Sequence, residues 1–146
     1  MTFGLWRIAV DRAATERAYA NISVAGPDRC DCAYCRNFAA VRDRVYPPEA
    51  LDLFARLGIN ARYEAEVVDY HTVTPDDHRR LIGGWFHFVG TIEEGPDGVY
   101  EPLVVGFDVG FTRRVGLVEQ AFAGQQVAQV EFLTHVSWVL DEPDPD

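Results

Sequence analysis

At Arg62 the hydrophobic spacing of this chain changes period, and that change restricts the fold more than any other feature. Before it, apolar residues recur at helical spacing; after it, they alternate. Tyr34, Phe38, Val41 and Val45 fall at i, i+4, i+7 and i+11, one stripe of an α-helix. That helix is expected to stop before Pro47, because the residue preceding a proline is pushed out of the helical region. Pro48 suits the first position of a second helix, with Glu49 near its positive end. Ala50, Leu53, Phe54 and Leu57 form its apolar face, and Gly58 followed by Ile59 reads as a left-handed cap with its hydrophobic contact.

From Tyr63 onward the stretches Tyr63–Val73, Leu81–Ile92, Leu103–Phe111 and Val130–Trp138 alternate as strands. Thr74-Pro75-Asp76-Asp77 reads as a turn and Glu93–Gly98 as a hairpin-type loop. Upstream, Phe3–Val10 is a further strand and Asp11–Arg17 a turn. Ala20, Ile22 and Val24 alternate with polar neighbours as another strand, which Gly26-Pro27 breaks. Short loops between successive strands favour an antiparallel meander. The expectation is an α+β domain over residues 1–140: an antiparallel sheet of about five strands, with two short helices packed on one face. Residues 141–146 are expected to form an acidic, fraying tail.

The net charge of −10 includes four acids in that tail; residues 1–140 carry 19 acids against 13 bases, a net of −6. An acidic surface repels phosphate backbones, so no nucleic-acid partner is expected, whereas a basic protein partner is admitted. No window approaches the ~18 consecutive apolar residues of a spanning helix, and Met1–Arg7 lacks the basic-then-apolar plan of a secretory signal. The expected compartment is the cytoplasm, where thiols stay reduced.

All three cysteines lie in one window, Cys30-Asp31-Cys32-Ala33-Tyr34-Cys35, at the start of the first helix of the pair. An odd count fits a disulfide framework poorly. Thiolates bind soft metals, and the C-x-x-C spacing of Cys32 and Cys35 lets two sulfurs bite one tetrahedral ion. Cys30 is near enough to be a third ligand. The helix start favours the anionic sulfur, Cys35 in particular. For the fourth position the candidates are His71, His78, His87, His135, Asp28, Asp31 or water, with His71 foremost because it interrupts an apolar strand face. The expected cofactor is therefore zinc. Two other readings stand beside it: a thiol enzyme or redox protein using Cys32 or Cys35, and thiols packed as small hydrophobes.

Four stretches carry a resemblance: C-x-C-x-x-C-x-N-F (Cys30–Phe38), the Pro-Glu helix ending in Leu-Gly-Ile (Pro48–Ile59), Gly-Gly-Trp-Phe-His-Phe (Gly83–Phe88) and Trp-Val-Leu (Trp138–Leu140). In these the chain resembles a family of uncharacterised bacterial proteins. The resemblance implies a bacterial cytosolic protein whose thiols and aromatic strand belong to one design, and it brings no activity with it.

Trp85 and His87 share a strand face, which is either an aromatic platform with a titratable group or one side of a sheet buried on both faces. Gly83 and Gly84 mark a bulge or a close backbone approach. His71 and His78 flank Asp76-Asp77, which reads more simply as a turn. No nucleophile elbow, phosphate loop, HExxH or dinucleotide fingerprint is present. The functional expectation is a non-enzymatic binding module with a structural zinc site. The alternatives are the thiol enzyme and an acidic, immunity-type protein that captures a basic partner.

Overall fold

The structure, a computed structural model, describes residues 1–146. In chain order its elements are β1 (Thr2–Phe3), β2 (Trp6–Val10), α1 (Arg12–Ala20), α2 (Ala33–Val41), α3 (Pro48–Leu57), β3 (Glu66–Val73), β4 (Arg80–Glu94), β5 (Glu101–Val104), β6 (Phe107–Thr112) and β7 (Val127–Val136). Single 3-10 turns occupy Gly26–Arg29, Arg42–Arg44 and Gln120–Phe122. The class is α+β as expected, with seven antiparallel strands rather than about five and three helices rather than two.

The 15-residue β4 is the spine. Along one edge it pairs with β7, from Arg80↔Val136 to Val89↔Val127. Its other edge is shared, the first half by β3 and the second by β2. The order β1-β2-β4-β7-β6-β5 is not a simple meander, because Glu93–Gly98 leads away from β4 to the far edge strand β5. A central place follows from composition: Phe86 and Phe88 on one face, His87 and Val89 on the other, are all buried, so β4 needs cover on both sides. His87 is 1 % exposed, with Nε2 2.9 Å from Gln129 Oε1, so the two-sided burial reading of this stretch holds. Gly84 is a close approach: a Cβ there would lie 2.7 Å from the Glu66 carbonyl oxygen.

α3 forms as expected, and Gly58 caps it at φ 82° with Ile59 N–H donating to Phe54 O at 2.9 Å. α2 buries Phe38 and Val41, then tightens into the 3-10 turn ahead of Pro47.

Two expectations fail upstream and one downstream. Asp11–Arg17 is not a turn, nor Tyr19–Val24 a strand: α1 runs from Arg12 to Ala20, and Asn21–Val24 is irregular. Asp11 caps α1, accepting from Ala14 N–H at 2.9 Å. Its buried face is Ala14, Thr15, Ala18 and Tyr19, too small and polar to register as an apolar stripe. Thr15 reaches out of α1 to accept the Val89 N–H at 2.9 Å, and Tyr19 OH donates to His87 O at 2.8 Å, which seats the helix beside β4. Downstream, Leu103–Phe111 is broken into β5 and β6 at Val105-Gly106. Gly106 takes φ 86° and the Val105 side chain is wholly exposed, so an apolar residue in a turn imitated a strand.

The core is aromatic. Phe54, Phe86 and Phe132 surround Tyr46 at ring distances of 5.6, 5.9 and 5.3 Å. Trp6 packs on Phe111 at 5.3 Å, joining β2 to β6 across the sheet's inner face. No helix is long and apolar enough to cross a membrane.

Candidate metal centre

The segment ahead of the cysteines is bolted to the body before the first thiol is reached. Gly26 N–H donates to Glu64 O at 2.9 Å, and a Cβ on Gly26 would lie 1.9 Å from the Ala65 carbonyl oxygen, so only glycine fits. Asp28 accepts from Arg42 at 3.2 Å and from Arg62 at 2.8 Å. Arg42 turns its remaining donors on Glu64 at 3.0–3.3 Å, and Tyr46 OH donates to the same carboxylate at 2.7 Å. Burial pushes the Glu64 carboxyl up. Burial also works against the Arg42 charge, yet its bonds to Glu64 and Asp28 hold its pKa above the ordinary value. The donors that Arg42 and Tyr46 turn on Glu64 support its ionised form.

Beyond that anchor Cys30 stands in extended backbone and Cys32 is the N-cap of α2, its sulfur accepting from Cys35 N–H at 3.5 Å. Cys35 lies in the first turn. The three Sγ atoms fall within 4.8 Å of one another, with Cys30 and Cys32 at 3.2 Å. A tetrahedral zinc ion about 2.3 Å from each sulfur sets its ligands about 3.8 Å apart, so this cluster can hold a metal ion after a small opening of the Cys30–Cys32 pair.

The thiols are not equivalent. Cys30 is exposed, and the Cys32 backbone N–H and the neighbouring thiols hold its pKa below the usual thiol value. Cys35 is half-buried, and burial followed by the bonds to Cys30 and Cys32 pushes it well above that value. This corrects the expectation that Cys35 has the most favoured thiolate. The helix N-terminus is present, but desolvation outweighs it. A bound cation would reverse the balance by pairing all three sulfurs.

The structure does not bring His71 to the sulfurs. His71 belongs to a separate group with Asp69 and Asp146. His78 faces Asp144 at 3.5 Å, His87 is sealed in the sheet, and Asp28 is taken by its two arginines. Asp31 is wholly exposed, 4.0 Å from Arg36. His135 lines another cleft, with Val41 and Arg79. No histidine or carboxylate oxygen lies within 4.8 Å of all three sulfurs. Cys30 and Cys35 border a cleft of about 670 Å³ whose other walls include Glu66, Val118 and the Arg29–Glu119 ion pair. A second cleft of about 610 Å³, between α1 and α3, carries no thiol or histidine.

Arg42, Glu64 and Arg80, all buried and none singled out by periodicity, are the residues that sequence reasoning missed. The only signal was a charge adjoining an apolar run, as at Arg80-Leu81-Ile82. Comparison of the chain with family profiles, with curated proteins and with solved structures finds no match.

Proposed function

We propose that the protein is a non-enzymatic binding module in which Cys30, Cys32 and Cys35 hold one zinc ion that fastens the loop ahead of α2. One observation carries this: the chain's three thiols converge within 4.8 Å at a helix start whose approach segment is already anchored by buried ion pairs. Soft sulfur selects zinc over harder cations. Cys30 and Cys35 line an open cleft, from which water or a partner's donor atom would complete the tetrahedron. The test is metal analysis of protein purified without chelator, with thiol titration before and after chelation. One equivalent of zinc and slow alkylation until chelator is added support the reading. Metal-free protein with three freely titrating thiols removes it.

A second reading, a thiol-dependent enzyme, shifts from Cys32 or Cys35 to Cys30, which is exposed, has a lowered pKa and lines the cleft. It predicts rapid, pH-dependent alkylation of Cys30 alone, insensitive to chelator. Proteins of this acidity also suit a basic partner, which salt-sensitive co-purification would reveal.

A further inference from the structure

Arg80, the first residue of β4, is fully buried. Its guanidinium sits 4.8 Å from the Tyr34 ring centroid and 5.5 Å from that of Trp138, in the corner formed by two rings that stand at 78° to each other. On one side it forms a two-point fork with Asp69 of β3, Nε–Oδ2 at 2.9 Å and Nη2–Oδ1 at 3.0 Å. That fork alone neutralises the arginine.

Two of its remaining three donors go to the acidic segment 141–146, through Asp144 and Asp146. Tyr34 OH donates to Asp146 at 3.1 Å, and His71 Nδ1 lies 3.2 Å from the same carboxylate. Arg36 grips Glu142 at 2.6 and 3.0 Å, and Trp138 Nε1 donates to Glu142 O at 2.8 Å. The engaged side chains are alternate residues, Glu142, Asp144 and Asp146, and the prolines between them, Pro143 and Pro145, keep the backbone extended. One strongly held cation thus faces three carboxylates, of which charge balance needs one. Segment 141–146 contributes no strand, helix or buried apolar side chain. It has the character of a ligand seated in a receptor rather than of a counter-ion the fold requires.

We propose that the Tyr34–Arg80–Trp138 pocket is a recognition site for an extended acidic peptide segment of a partner protein, with carboxylates on alternate residues, and that the chain's own segment 141–146 fills it as an internal competitor. A tethered ligand competes at an effective concentration of about millimolar, so a partner segment gains the site only when it binds better or when segment 141–146 is weakened. The proposal is independent of metal at the cysteines.

The test uses the full chain carrying Asp144→Asn and Asp146→Asn, with a fluorescent peptide copying residues 141–146 as the probe. The peptide is expected to bind this variant at least tenfold more tightly than the unaltered protein. A peptide with asparagine in place of its last two aspartates is expected not to bind. In the unaltered protein, excess unlabelled peptide is expected to sharpen the NMR signals of residues 141–146 as they leave the pocket. A folded variant that does not distinguish the two peptides overturns the proposal. So does a variant that fails to fold, because segment 141–146 is then a structural counter-ion. Signals of 141–146 that stay unchanged at tens of millimolar peptide overturn it as well.

Discussion

Cys32 holds two offices that substitution separates. Its sulfur caps α2 and belongs to the thiol cluster. Serine is a better N-cap than cysteine, so Cys32→Ser keeps the helix start and deletes a metal ligand. A metal present at about 100 times its Kd stabilises a fold by about 2.7 kcal/mol, and for a domain near this size each kcal/mol shifts Tm by about 2–4 °C. The zinc reading therefore expects Cys32→Ser to lose about 5–10 °C of melting temperature, and expects the remaining Tm not to respond to chelator. A calorimetric scan with and without chelator measures both, and an unchanged Tm favours the enzymatic reading. None of the cysteines needed the structure to be noticed. Which of them is the easier to ionise did, because half-burial of Cys35 is a property of what lies over α2, not of its place in the sequence.

Between elements, the close fit of the loop ahead of the cysteines is the sensitive point. Gly26→Ala puts a methyl group against the Ala65 carbonyl, backbone against backbone, with no flexible side chain to yield. Overpacking of this kind costs about 1–3 kcal/mol, and here the relaxation moves Cys30 away from its partners. The expected outcome is a lower urea midpoint together with weaker metal retention, read by unfolding and metal competition on the same sample. β4 and β7 offer a different test at His87 and Gln129. Burial holds His87 below the ordinary imidazole pKa, although Gln129 pulls the other way. A depressed folded-state pKa contributes stability that is present above the unfolded-state value of about 6.5 and is lost as pH falls, since the unfolded chain takes up the proton first. The urea midpoint is expected to drop between pH 7 and pH 5, and His87→Gln to flatten that part of the profile. Legibility at this scale divides sharply. α3 was readable from Pro48 to Gly58 because both ends carry residues whose backbone preferences are intrinsic. α1 was not, because its inner face of alanines and a threonine earns its place only by fitting against β4.

At the scale of the molecule, segment 141–146 joins the end of the chain to the helix that carries the thiols. Tyr34 and Arg36 flank Cys35 in sequence and both bind the segment. Arg80, followed by His71, holds the Asp146 carboxyl down to about 2. With the pKa depressed in the docked state, docking is complete above the ordinary carboxylate range and weakens as pH falls toward about 2. The segment is expected to stay seated at pH 4 and to detach near pH 2, visible as narrowing of its NMR lines; release already at pH 4 contradicts the Arg80 contacts. The sequence suggested only a fraying acidic tail, since nothing local identifies a partner for those carboxylates.

What the amino-acid order determined by itself is what short-range physics decides: the α+β class from the change of period at Arg62, the helix ends at Pro47, Pro48 and Gly58, and the thiol cluster, whose members are neighbours along the chain. The tertiary structure alone decided which distant groups meet. It made β4 the spine rather than one strand of a meander, sent His71 to Asp69 and Asp146 instead of to the sulfurs, and closed Arg80 between two rings and three carboxylates. Spacing along a chain records local backbone preference and one-sided burial. A contact between residues 80 and 146 leaves no period behind.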